Sequence, residues 1–134
     1  MTTEEKKEVL RSYRTHLIAA QRIKDQIRVL EASVMGRSVN LDGMPRGSGG
    51  ADLSGWAAKY DELERKLQRE YERQMDAASR IMDGIDGLKD PLEKTVLFEH
   101  YIALKRIERI ARELHYCEDK IWKTQRKGVT NIKL

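Results

Sequence analysis

One cysteine, one phenylalanine and two prolines are all that 134 residues contain of these types. The lone Cys117 excludes an internal disulfide framework. With aromatics at only 6%, the bulky side chains that fill a compact β-rich core are missing. No uninterrupted apolar run approaches the ~20 residues needed to cross a bilayer. Residues 1–7, Met-Thr-Thr-Glu-Glu-Lys-Lys, are not followed by the apolar segment of a signal peptide. The expectation is a soluble, cytoplasmic protein with no membrane partner.

Charged residues make up 36% of the chain and hydrophobic ones 40%, with a mean hydropathy of −0.69. That apolar share is too high for a wholly disordered chain. Long amphipathic helices with thin cores satisfy both limits. The net charge is +4, and its placement is uneven: from Lys105 onward there are 9 Lys/Arg against 4 Asp/Glu. The preceding residues carry 17 against 18. The basic excess therefore lies at the C-terminal end, which points to an anionic partner there, nucleic acid before a membrane surface.

Two apolar stripes at helical spacing dominate the first two thirds. The first runs Leu10, Tyr13, Leu17, Ala20, Ile23, Ile27, Leu30, Val34. The second runs Trp56, Tyr60, Leu63, Leu67, Tyr71, Met75, Ala78, Met82, Ile85, Leu88, with Gly84 and Gly87 weakening its end. Asp61 with Arg65, Glu62 with Lys66 and Asp76 with Arg80 stand at i,i+4 in the favourable order. Between the stripes, five of the nine glycines fall from Gly36 to Gly50, together with Pro45, so residues 36–52 read as a loop. Residues 1–89 are expected to form a long, coiled-coil-like antiparallel helical hairpin. Its single seam leaves apolar surface uncovered, which favours a homodimer.

Asp90-Pro91-Leu92-Glu93 has the spacing of a capping box, with Pro91 at the first helical position. Val96, Leu97, Tyr101 and Ile102 line the helix that it opens. Two further segments, Ile107 to Leu114 and Glu118 to Lys127, have helix-turn-helix spacing, with Gly128 as the expected stop. In that pattern Ile107, Ile110 and Leu114 face inward, Ala111 is small where the helices cross, Tyr116 packs in the turn and Ile121 anchors the second helix. Glu118, Asp119, Trp122, Lys123 and Arg126 are left facing outward, where a recognition helix meets base edges. Lys105, Arg106, Lys120 and Lys127 flank them as candidates for phosphate contacts. The fold class expected is all-α, with a helix-turn-helix domain over residues 90–134.

Residues 91 to 128 resemble the region-4 helix-turn-helix of bacterial sigma factors, in the version found in ArpU-type phage transcriptional regulators. The residues that carry this are Pro91-Leu92-Glu93-Lys94, Val96-Leu97, Tyr101-Ile102, Ile110-Ala111-Arg112-Glu113-Leu114, Tyr116, Ile121 and Arg126-Lys127. Met44-Pro45-Arg46-Gly47-Ser48-Gly49, Asp52-Leu53 and Asp61-Glu62-Leu63 extend the likeness to Gram-positive phage and prophage relatives of that group. The resemblance implies a DNA-binding regulator of phage genes, acting in a bacterial host cell on double-stranded DNA, with host RNA polymerase as a further partner. Three positions depart from the pattern. His115 stands where the turn usually has Gly, Cys117 where Ser or Thr usually caps, and Glu118 where sigma factors present a basic residue.

Competing readings stay open. A helix-turn-helix can be a plain packing motif, and Trp122 can cover a neighbouring helix as readily as touch a thymine methyl. The small subunit of a phage terminase joins the same two kinds of element. A coiled-coil adaptor that binds RNA polymerase without DNA is a third possibility. Gly47-Ser48-Gly49-Gly50 lacks the Gly-Lys-Ser/Thr of a phosphate loop. His16, His100 and His115 have no ligand spacing to Cys117, so no metal or cofactor is expected. Asp83 and Asp86 read as solvated charge, and no nucleophile–base pair points to an enzyme.

Overall fold

A computed structural model describes the backbone of residues 1–40 and 49–134, and the side chains of residues 1–34 and 55–134. Every regular element among them is helical: α1 (Thr3–Asn40), α2 (Gly49–Asp86), α3 (Pro91–Leu97) continuing into a π turn (Phe98–Ile102), α4 (Ile107–Leu114) and α5 (Glu118–Asn131). The fold is all-α. Both ends of the loop expected over 36–52 are helical instead. Helical backbone continues past Gly36 to Asn40 and resumes at Gly49, while the Met44-Pro45-Arg46-Gly47 segment lies outside the described residues.

The chain divides into two compact units, and the boundary expected at residue 89 does not separate them. One unit is Leu17–Glu72; the other combines Met1–His16 with Arg73–Leu134. In the first, α1 and α2 pack as an antiparallel pair. Ile23 and Ile27 meet Leu63, with Leu30, Tyr60 and Leu67 around them. Trp56 donates through Nε1 to the Leu30 carbonyl at 3.0 Å and stacks on Tyr60 at 5.1 Å. Farther back along α1, Lys24 lies 5.2 Å above the Tyr71 ring, a cation–π contact. On the outside, Arg65 pairs with Asp61 at 2.7 Å and Lys66 with Glu62 at 3.2 Å, as the spacing predicts.

The second unit holds the larger core. Leu10, Ile81, Ile85, Leu88, Leu97, Tyr101, Val129 and Ile132 form one cluster, and Val96, Ile107, Ile110, Ala111 and Ile121 another. Here the α2 stripe departs from expectation: Met75 and Met82 are 72% and 38% exposed, whereas Ile81 is fully buried. Leu67, Gln74, Ile81 and Leu88 recur at an unbroken seven-residue interval, which is the inward row. The polar Gln74 interrupts that row to the eye, while its apolar neighbour Met75 suggests the wrong phase. The amide oxygen of Gln74 is buried and has no hydrogen-bond partner among the described residues.

Asp90 caps α3 by accepting from the Leu92 amide at 2.9 Å, with Pro91 at the first turn. The reciprocal half of the capping box does not form. Glu93 is buried and accepts instead from Asn131 Nδ2 at 2.9 Å, tying α3 to the end of α5. Gly128 does not stop α5, which runs on to Asn131. A Cβ at Gly128 would sit 3.0 Å from both Cγ and Cδ1 of the fully buried Leu97, so glycine here permits close helix approach. Val129 and Ile132, beyond that point, are core residues.

Candidate nucleic-acid interface

The helix-turn-helix is built from two backbone reversals around α4. Leu104, two residues past the π turn, has φ 59°, and His115, after α4, has φ 61° and ψ 41°. These are left-handed conformations that L-residues adopt at a cost. At His115 the reversal is a Schellman closure: its amide donates to the Arg112 carbonyl at 3.4 Å, and that of Tyr116 to Ala111 at 3.0 Å. The histidine therefore takes the conformation for which glycine is usual. Tyr116 does not pack in the turn; it is 46% exposed.

Cys117 is the N-cap of α5 and makes no side-chain capping bond. Glu118 and Asp119 follow in the first turn, where their charge complements the helix dipole. Ile121 is fully buried against the α4 cluster, which includes Ala111 at 3% exposure and the half-buried Leu114. Farther along the same face, Gln125 donates through Nε2 to the Tyr101 hydroxyl at 2.7 Å, and Thr124 donates to the Lys120 carbonyl at 2.7 Å. Burial pushes the Tyr101 hydroxyl above its usual pKa, opposed by the Gln125 bond and by Arg11. Ile121, Thr124, Gln125, Gly128 and Val129 thus fix the rotation of α5 about its axis.

Opposite that face, Glu118, Asp119, Lys120, Trp122, Lys123, Arg126 and Lys127 are all exposed, Trp122 at 42%. The charges are segregated along the helix. Two carboxylates occupy the first turn and four cations follow. Thr130 extends the exposed face by one turn; its hydroxyl donates to the Arg126 carbonyl at 3.0 Å, and its own carbonyl accepts from Lys6 Nζ at 2.8 Å. Taking Gly128 as the helix stop hides Thr130 from a sequence reading, and the distant Lys6 leaves no sequence signal.

Arg106 is exposed at the N-cap of α4. Lys105 departs from its expected role. Its ammonium lies 2.6 Å from Glu99 Oε2 and 2.8 Å from Glu113 Oε2, and Arg109 Nε binds the other Glu113 oxygen at 2.9 Å. The hydrogen bond to Glu113, then that to Glu99, raises the Lys105 pKa; bonds from Lys105 and Arg109 lower that of Glu113. A lysine engaged by two carboxylates braces the π turn against α4 and is withdrawn from the phosphate-binding set.

Among the described residues no helix is long and apolar enough to cross a membrane, and no group of three or more His, Cys, Asp or Glu is placed to hold a metal ion. Compared with protein-family models, curated proteins and solved structures, the chain matches none.

Proposed function

We propose that this chain is a sequence-specific DNA-binding protein that regulates transcription of phage or prophage genes in the host cytoplasm, with α5 entering the major groove. The observation that supports this most is the two-faced α5: Ile121, Gln125 and Gly128 lock one side, while Lys120, Lys123, Arg126 and Lys127 stand on the other. In this reading Lys123 and Arg126 contact base edges, Arg126 preferring guanine. Glu118 or Asp119 accepts from cytosine, and Trp122 packs on a thymine methyl or the sugar. Lys120, Lys127 and Arg106 hold phosphates. Acting as a homodimer, the protein meets half-sites about 34 Å apart, or a multiple of it.

The exposed Glu118 and Asp119 favour a second reading, an adaptor whose acidic helix start binds a basic surface such as one on RNA polymerase. Passing a randomised duplex pool over the protein separates the two. Enrichment of a motif supports the regulator. Retention that is steeply salt-dependent yet unenriched supports phosphate binding of the kind that DNA packaging uses. No retention leaves the adaptor, tested by loss of polymerase binding when Glu118 and Asp119 are both replaced by Ala.

A further inference from the structure

Within Leu17–Glu72, the side of α1 opposite the Ile23–Ile27 seam is not purely polar. Ile18 and Val29 are 56% and 69% exposed, and between them Arg22 and Asp25 share their face. The four residues are spaced four, three and four apart, the alternating a/d spacing of a coiled-coil seam. Two large aliphatics on an outer face at that spacing are a second, narrower stripe, distinct from the one that closes the hairpin.

The order of the four residues is self-complementary. When two copies of α1 run antiparallel about a two-fold axis midway between Ile23 and Lys24, Ile18 of one meets Val29 of the other, and Arg22 meets Asp25. Each layer occurs twice, as an isologous interface requires. Pairing an a position with a d position in every layer is also the geometry of an antiparallel coiled coil. The flanking layers put Gln21 against Gln26 and Ala19 against Arg28, so no like charges oppose each other. Asp25 is already oriented: Gln21 Nε2 and Arg28 Nη2 contact its Oδ1 at 3.1 and 3.2 Å, leaving Oδ2 for the opposing arginine.

We infer that the outer face of α1, Ile18-Arg22-Asp25-Val29, docks a second copy of this chain by antiparallel self-association. The inference rests on the homodimer proposed above and gives that dimer a face and a register. Helix surface charges of this kind are individually weak, but two-fold symmetry counts every substitution twice and both pairs lie between apolar layers.

Sedimentation velocity on the full chain, with helicity measured alongside, tests it by charge exchange. Arg22→Glu sets two glutamates against two Asp25 side chains, and Asp25→Arg sets arginine against arginine. Each single change should weaken dimerisation roughly tenfold or more, whereas the double variant R22E/D25R should restore it. A second readout uses Ile18→Cys with Val29→Cys in a Cys117→Ser background. These two thiols stand about 16 Å apart along one helix at 1.5 Å per residue, too far to bridge within a chain. Oxidation should therefore link chains in the double-cysteine protein and in neither single. A dimer indifferent to the charge changes and not crosslinked would overturn this face while leaving the dimer intact. A wild-type chain that stays monomeric at every concentration would overturn both.

Discussion

The hairpin unit and the unit that carries α5 bury their apolar residues in different ways. Over residues 17–72 the seam rests on Ile23, Ile27 and Leu63, which keep 8%, 8% and 4% exposure. All eight of the largest fully buried side chains, from Leu10 to Ile132, belong instead to the unit of residues 1–16 and 73–134. A two-helix seam has solvent on both flanks, so its large side chains keep some exposure while only the small Ala20, at 2%, is almost fully covered. Adding α3, the π turn, α4 and α5 closes the shell and fixes one arrangement. A helix that reads a groove needs such a fixed rotation.

Core truncation tests this contrast with the largest expected effect. Ile121→Ala should cost about 2–5 kcal/mol in urea unfolding, whereas Ile27→Ala should fall at or below the bottom of that range because its site is already partly open. Equal costs would remove the distinction. Glycine substitutions come next and should differ in sign. Gly128→Val drives a side chain into Leu97, which has no room to move, and should destabilise by about 1–3 kcal/mol. Gly55 has nothing within 4 Å of its would-be Cβ. Gly55→Ala should therefore stabilise α2 by up to roughly 1 kcal/mol through helix propensity alone.

Smaller still is the cap of α5. Cys117→Ser supplies the missing side-chain acceptor and should stabilise by roughly 1 kcal/mol, read as a rise in Tm. An unchanged Tm would mean that the first turn of α5 is satisfied in some other way. The subtlest effect is the pH dependence of the brace around Lys105. The folded-state pKa of Glu113 is lowered, so its contribution is present above the ordinary carboxylate range and lost as pH falls through the folded value. That of Lys105 is raised, so its contribution is present below the ordinary lysine range and lost as pH rises through the folded value. The Tm gap between wild type and Lys105→Met should thus be widest near neutrality and narrow in acid; a gap independent of pH would reduce Lys105 to a packing residue.

Much of this arrangement is legible in the residue pattern. Ile107, Ile110, Ala111 and Ile121 announce the α4–α5 packing, because a short amphipathic pair with a small residue at the crossing has few other solutions. The positions that mislead are those where one residue serves tertiary packing against its local preference. Gly128 reads as a helix stop and is a close-approach point. Glu93 reads as the second half of a capping box and is claimed by Asn131. Gln74 hides the inward row of α2, and Lys105 reads as a free cation although Glu99 and Glu113 hold it. For Gly128, Glu93 and Lys105 the deciding partner lies far along the sequence or in a neighbouring element, where periodicity carries no information.

Affinity for DNA, measured across single-base variants of a selected duplex with Arg126→Ala and Lys120→Ala side by side, tests the central claim most directly. If α5 reads bases with its outward face, Arg126→Ala should lose about 1–3 kcal/mol on the preferred sequence and cease to discriminate at one position. Lys120→Ala should weaken every duplex alike and make the salt dependence shallower. Uniform losses for both, or no loss for either, would contradict the account.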